Sequence, residues 1–394
     1  MMRNIIIMFY LVFFKMFYYF FSLFPLKKKV TFVTSFGDNC IYLYEEMEKK
    51  QVHLKPIFLY KKSCENNIKN LKNVETIKFE TLNIISEIKS IYHIATSEFI
   101  VVDNYFGFLA AIHFRENVEC IQLWHAAGAF KKFGFQDQSF HKRSAIDQKR
   151  FSKVYKQFHK IVVGSDNMAN IFKKTFNVTE TNILPTGIPR TDLFFDEKRK
   201  KQIIETLYEN NRLLQNKKVI MYAPTFRDNE LNQFELHLNL KLMHQFLGDE
   251  YVILLRVHPA IKNKKDVEND YPNFVFDYSS YKDVNELLFI TDILITDYSS
   301  IPFEFALLNR PIIFFAYDVE KYKKERGLWD EFETMIPGPI VTSTEEVISI
   351  VQNEDFDFQL ISKFSLEWNQ YSQGYSSKGL MDYILKRDYV KNVM

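Results

Sequence analysis

Short apolar runs alternate with helical stretches along most of this 394-residue chain, and that alternation leaves few folds open. Residues 30–35, 55–60, 99–103, 120–124 and 160–164 have the length and the β-branched and aromatic content of strands. Helical patterns over 42–50 and 168–176 are interspersed with them, and Ser165-Asp166 is placed to cap the second. A further series follows, with strands at 218–223, 251–257, 274–276, 292–296 and 311–315 and helices over 284–289 and 302–308. Strands separated by helices pair in parallel through right-handed crossovers. Between the series lies a turn-rich stretch, 182–190, punctuated by Pro185, Gly187 and Pro189. The expectation is an α/β protein of two Rossmann-like, doubly wound domains, 30–187 and 188–365, facing across a cleft. An apolar segment, 1–29, precedes them. A helical segment, 366–394, part of a helical stretch over about 358–389, follows and is expected to pack back on the first domain.

The N-terminal segment has its own logic. Residues 5–24 are nearly all apolar, interrupted by Lys15, and Lys27-Lys28-Lys29 follow Pro25. A membrane-spanning helix needs about 20 such residues. Lys15 near the middle costs a span roughly 3 kcal/mol. A helix lying in the interface lets Lys15 extend its ammonium to water and turns the lysine triplet toward anionic headgroups. We expect that arrangement, with a span and a helix buried on the domain as the alternatives. Phe-Ser-Leu-Phe-Pro25 offers no small-residue cleavage site for a signal peptide.

Composition narrows the chemistry. A net charge of +2 argues against a strongly basic nucleic-acid binder. Cys40, Cys64 and Cys120 form no CxxC pair, so neither a disulfide framework nor a zinc motif is expected. No P-loop and no GxSxG elbow occur. No metal ligand set and no cofactor are expected, although a divalent ion accompanying a diphosphate is compatible with the sequence.

Three strand ends carry the candidate site, because ligands in such folds bind at the carboxyl ends of parallel strands. The strand at 120–124 runs into His125, followed by Ala-Ala-Gly128-Ala-Phe-Lys131-Lys132-Phe-Gly134. No nearby carboxylate in sequence perturbs His125, so its pKa is expected near neutrality, which suits a general base. Gly128 would admit substrate to the backbone, and Lys131 or Lys132 would add positive charge. The strand at 251–257 ends in Arg256-Val-His258-Pro259. Arg256 and His258 share one face of an extended chain and suit phosphoryl oxygens. The strand at 292–296 ends in Asp297-Tyr-Ser299-Ser300-Ile-Pro302. Two hydroxyls and a helix start with Pro in its first turn favour a diphosphate, and Glu304 is placed to reach a ribose hydroxyl. Thr225 and Arg227 follow the strand at 218–223, and Lys321, Tyr322 and Arg326 follow that at 311–315. Each segment alone also has a structural reading: a serine cap, a histidine satisfied by backbone, a surface loop.

Together these segments resemble the CDP-glycerol glycerophosphotransferase family of teichoic acid synthesis. The resemblance runs from about Val30 to Tyr322. It rests on Trp124-His125 with Gly128, Lys132 and Gly134, on Gly187-Ile-Pro-Arg-Thr-Asp192, on Tyr222-Ala-Pro-Thr-Phe-Arg227, on Arg256-Val-His258-Pro259 and on Thr296-Asp-Tyr-Ser-Ser300. It implies a GT-B-like fold, two catalytic histidines matched by His125 and His258, and a peripheral position on the cytoplasmic face of the cell membrane. The first motif and the short length look most like the primase branch. That branch transfers glycerol phosphate from CDP-glycerol to undecaprenyl-diphosphate-linked N-acetylmannosaminyl-N-acetylglucosamine and releases CMP. A glycerol- or ribitol-phosphate polymerase of the same family, and a GT-B nucleotide-sugar glycosyltransferase, are the alternatives. His125 would be the base. Thr225, Arg227, Arg256, Asp297, Ser299, Ser300, Glu304, Gly128 and Lys132 would bind substrate.

Overall fold

The chain divides into two α/β units, each built on one parallel sheet. The structure is a computed structural model that describes residues 2–227, 235–257, 261, 267–329 and 331–393. The first unit comprises Met1–Ala126, Phe133–Asp192 and Gln370–Met394; the second comprises Ala127–Lys132 and Leu193–Asn369.

The first sheet contains β1 (Lys27–Thr34), β2 (Lys55–Tyr60), β3 (Glu75–Lys78), β4 (Ser97–Val102), β5 (Glu119–Gln122), β6 (Lys160–Val162) and β7 (Ile183–Leu184). Their spatial order is β3-β2-β1-β4-β5-β6-β7, every neighbour parallel. Central strands such as β4, with Phe99, Ile100, Val101 and Val102 all fully buried, are apolar on both faces because helices cover both. The second sheet contains β8 (Lys218–Ala223), β9 (Tyr251–Leu255), β10 (Val275–Asp277), β11 (Ile293–Thr296), β12 (Ile312–Phe315) and β13 (Ile340–Val341). Its order is β10-β9-β8-β11-β12-β13, again parallel throughout. In each sheet the chain winds outward from a central strand, returns beside it and winds the other way. The two reversals fall between β1 and β4 and between β8 and β11, the places where such sheets bind ligands.

The N-terminal helix α1 (Met2–Phe21) is docked on the first unit by one row of side chains. Phe14 and Tyr18 are fully buried, and Phe14 stacks on Phe108 at 4.8 Å between centroids. Arg115 donates to the carbonyls of Ser22 at 2.7 Å and Phe24 at 2.9 Å, fixing the exit of the helix. The opposite row, including Phe9, Val12, Met16 and Phe20, is exposed. This helix is long and apolar enough to cross a membrane.

Helix α2 (Asp38–Lys50) follows β1 and packs against the C-terminal helix Ser376–Val393, which belongs to the first unit. The helical stretch over 358–389 is two helices, Phe358–Trp368 and Ser376–Val393, with Gly374 at φ 84° in the turn between them. Only the second lies in the first unit. The boundary expected after residue 187 falls instead after Asp192. Gly187-Ile-Pro-Arg-Thr-Asp192 is anchored to the first unit: Asp192 accepts from the N–H groups of Ser376 and Ser377, both at 2.8 Å. Gly187 has φ 84°, and a Cβ there would sit 2.3 Å from the carbonyl oxygen of Tyr371, so only glycine fits.

Candidate active site

His125 lies three residues past β5, on a backbone held from both sides. Trp124 has φ 58°, a left-handed conformation that costs a non-glycine residue about 1–2 kcal/mol. Its N–H donates to Gln122 Oε1 at 2.8 Å, and its carbonyl accepts from Asn39 Nδ2 at 3.0 Å. Asn39 Oδ1 in turn accepts the N–H of Arg190 at 3.0 Å. The Arg190 guanidinium, buried, donates to the His125 carbonyl at 2.9 Å. Arg190 closes the Gly187-Ile-Pro-Arg190 segment, so that motif clamps the backbone that carries the histidine.

The imidazole is oriented as tightly. It stacks between Phe36, with centroids 4.2 Å apart, and Trp124, at 4.3 Å. Nδ1 lies 3.2 Å from the carbonyl oxygen of Asp103. A carbonyl only accepts, so Nδ1 carries the proton and Nε2 keeps the lone pair. Nε2 has no hydrogen-bond partner among the described residues. The expectation of a pKa near neutrality is corrected: burial pushes the imidazole down to about 4, and Arg190 pushes the same way against the Asp103 carbonyl. The ring is neutral at physiological pH.

Asp103 was not among the expected site residues. Its side chain is buried and accepts the backbone N–H groups of Ser35 (2.9 Å), Phe36 (2.9 Å) and Gly37 (2.8 Å), with the Ser35 hydroxyl at 3.2 Å. Burial raises its pKa, and these donors work against that rise. Asp103 thus fixes the loop after β1, which supplies Phe36, while its own carbonyl sets the histidine tautomer. Its sequence signal was only its place at the end of the strand at 99–103.

In the second unit the reversal between β8 and β11 gathers Thr225, Arg227, Asp297, Ser299 and Ser300. Asp297 and Arg227 bind each other. Asp297 Oδ1 accepts the N–H of Thr225 at 2.9 Å, and Oδ2 accepts Arg227 NH1 at 3.0 Å. The other side of the Arg227 fork is bidentate to Asp318, at 2.9 and 2.8 Å. The guanidinium centre also lies 4.8 Å from the Tyr322 ring and 5.2 Å from Tyr298. Burial opposes its charge, but the two carboxylates outweigh that and raise its pKa further. Arg227 is therefore the cation of a buried network. Thr225 Oγ1 is buried with no hydrogen-bond partner among the described residues. Ser299 Oγ accepts the N–H of Ile301 at 3.3 Å, whereas Ser300 makes no side-chain cap bond. Both serines are half-buried, and Glu304 is almost fully buried.

Three more of the expected residues have structural partners of their own. Gly128 serves packing: a Cβ there would meet the Phe303 ring at 2.3 Å. Lys132 lies over the Trp329 ring at 5.8 Å, while it is Lys131 that neighbours Asp297, Arg227 and Arg326. Burial lowers the Lys131 pKa to about 8, with Asp297 opposing and the two arginines reinforcing the shift. Among the described residues, Lys131, Arg227 and Arg326 form a group of cations around Asp297. Arg256 stands just beyond β9, with its N–H still bonded to the Tyr222 carbonyl of β8 at 2.9 Å. Its NH1 donates to the Tyr278 carbonyl at 2.9 Å and to that of Ser279, so it pins the strand end to the following loop. His258 lies outside the described residues. Among the described residues no group of three or more His, Cys, Asp or Glu side chains is arranged to hold a metal ion.

The profile of the family described as CDP-Glycerol:Poly(glycerophosphate) glycerophosphotransferase matches residues 16–386. The chain is similar to the teichoic acid glycerol-phosphate primase of Bacillus subtilis (strain 168), 40% identical over 361 residues, covering 91% of this chain and 92% of that protein. It is 35% identical over 377 residues to the teichoic acid poly(ribitol-phosphate) polymerase of Bacillus spizizenii (strain ATCC 23059 / NRRL B-14472 / W23), covering 93% of this chain but 57% of the polymerase. A structure of a histidine variant of the wall teichoic acid polymerase TagF, soaked with CDPG, superposes with a TM-score of 0.79 at 30% identity, covering 94% of this chain and 91% of that one. The fold is GT-B-like, as the motifs implied.

Proposed function

Because the chain belongs to the CDP-glycerol:poly(glycerophosphate) glycerophosphotransferase family, whose members are transferases of teichoic acid synthesis, we propose that it acts as a primase. It moves one glycerol phosphate from CDP-glycerol to an undecaprenyl-diphosphate-linked N-acetylmannosaminyl-N-acetylglucosamine. The observation that carries this reading is the His125 arrangement, a neutral imidazole with Nδ1–H donated to the Asp103 carbonyl and Nε2 left to take a proton.

The acceptor hydroxyl gives its proton to Nε2. Its oxygen forms a bond to the phosphorus that bears glycerol, the bond from that phosphorus to the bridging oxygen breaks, and CMP leaves. Positioning and electrostatics carry most of the rate in such transfers. Ser299, Ser300 and the neighbouring backbone hold the diphosphate, Thr225 Oγ1 supplies a waiting hydroxyl, and Glu304 takes the ribose. Lys131, at the cationic edge of the Arg227 network, is a better diphosphate ligand than Lys132. His258 steadies the leaving oxygens, a role resting on its place in the Arg256-Val-His258-Pro259 motif. Arg256 supports that segment through the Tyr278 and Ser279 carbonyls. The apolar N-terminal helix supports a peripheral place on the cytoplasmic face of the membrane, where the lipid-linked acceptor resides.

The test is ligand choice. Thermal stabilisation is expected with CDP-glycerol and not with UDP-sugars, and it should be lost in a Ser299→Ala, Ser300→Ala double variant. Equal stabilisation by UDP-sugars would favour a nucleotide-sugar glycosyltransferase. Unchanged CDP-glycerol affinity in the double variant would remove the serines from the site.

A further inference from the structure

A second apolar element stands beside α1. Leu82-Asn83-Ile84-Ile85 opens the helix Ile84–Ala95, and Asn83 Oδ1 caps it by accepting the N–H groups of Ile85 at 3.1 Å and Ser86 at 3.2 Å. The cap fixes the turn, yet its apolar side chains face outward. Leu82 is fully exposed, Ile84 is 64% exposed and Ile85 68%. Helix α1 packs on this same helix. Phe21 meets the Tyr92 ring at 5.5 Å, while Tyr10, further up α1, lies within electrostatic reach of Glu80 and Glu87. The N-terminal half of α1 therefore runs beside the turn that carries Leu82, Ile84 and Ile85.

The charges around this face are mostly positive, and the exposed Glu80 is paired with Lys61. No carboxylate precedes Asp38 in the chain. Arg3, Lys15 and Lys27 are exposed, as is Lys89 on the second helix. The one carboxylate of the helix Ile84–Ala95, Glu87, is buried. An exposed apolar face with a cationic border marks an interaction surface, and its complement is an anionic lipid surface.

We propose that the Leu82–Ile85 turn inserts into the bilayer interface alongside α1, so that membrane docking is bipartite. A single interfacial helix can roll about its axis, whereas a second inserted point stops the roll and fixes how the first unit faces the membrane. This inference rests on the reading that the protein works at an anionic membrane surface.

Single cysteines at position 85 (Ile85→Cys) or position 9 (Phe9→Cys) accept an environment-sensitive fluorophore selectively, since Cys40, Cys64 and Cys120 are buried. With phosphatidylglycerol–phosphatidylcholine vesicles, both labels are expected to shift to the blue and to be quenched by lipid-borne quenchers. A Leu82→Ser, Ile84→Ser, Ile85→Ser variant should partition about tenfold more weakly. Its circular dichroism should be unchanged, because these side chains support no core. A shift at position 9 with none at position 85 overturns the bipartite contact and leaves the membrane reading standing. No shift at either position overturns both. A concentration-dependent shift at position 85 without vesicles means that a second copy of the chain covers the turn, and the proposal fails.

Discussion

Replacing Gly128 with alanine separates two readings of the small residues after His125. If they exist to admit substrate, the added methyl blocks binding and leaves the fold intact. The structure requires the opposite. The new Cβ would stand 2.3, 2.4 and 2.6 Å from three atoms of the Phe303 ring, where carbon atoms pack at about 3.5–4.0 Å. Phe303 cannot step aside: it is fully buried against Phe130 (4.5 Å), Trp368 (4.7 Å) and Phe364 (5.2 Å), and Asn369 holds its carbonyl at 2.8 Å. Nor can residue 128 retreat easily, since Lys132 N–H is bonded to Gly327 and the Phe130 carbonyl to Trp329 N–H. Overpacking of this kind costs about 2–3 kcal/mol. For a unit of this size that lowers the melting midpoint by about 5–10 °C. Phe303→Leu alone opens a small void at about 1–2 kcal/mol, but together with Gly128→Ala it makes room for the methyl. The double variant should then be more stable than the sum of the singles by at least about 1 kcal/mol. Calorimetry of the four proteins, with CDP-glycerol titrations alongside, decides it. Strict additivity, or an unchanged midpoint with weakened CDP-glycerol binding, would falsify the packing argument.

Three further outcomes follow from the same geometry. The His125 imidazole has its pKa lowered to about 4, so its basic form persists as pH falls and is lost only near that value; the acid limb of kcat/KM should lie well below pH 6 if this group sets it, and an acid limb at 6.5 would contradict the assignment. Arg227→Met leaves the buried Asp297 and the half-buried Asp318 without their cation and should cost about 3–5 kcal/mol by urea unfolding; a loss under about 1 kcal/mol would mean that the network contributes little. Lys131→Met should weaken CDP-glycerol binding at least about tenfold and Lys132→Met no more than about threefold, measured by calorimetric titration, and the reverse order would restore Lys132 to the site.

Much of the fold was legible because both faces of each central strand are buried. Apolar runs such as Phe99-Ile-Val-Val102 then have no reading other than a strand between layers. The edge strands β3, β7 and β13 were not, since two to four residues carry no usable period. Strand ends pointed to His125 and to Asp297–Ser300 because topology places ligands there. What sequence did not reveal was pairing across the chain. Arg227 and Asp297 each look available to a ligand until they are found to bind each other over a separation of 70 residues. Asp103 and Arg190 act on His125 through backbone oxygens, which no side-chain motif records. Gly128 resembles a gap for substrate until Phe303, 175 positions away in the chain, fills it.

Transfer of one glycerol phosphate with His125 as base is measured directly in a reconstituted reaction. Purified protein is incubated with CDP-glycerol and the undecaprenyl-diphosphate-linked disaccharide, and the lipid product is counted by mass while CMP is quantified. One added glycerol phosphate per acceptor is expected, with one CMP released for each, and loss of turnover in His125→Ala with CDP-glycerol binding retained. A ladder of added units would make the enzyme a polymerase, and wild-type turnover in His125→Ala would contradict the assignment of the base.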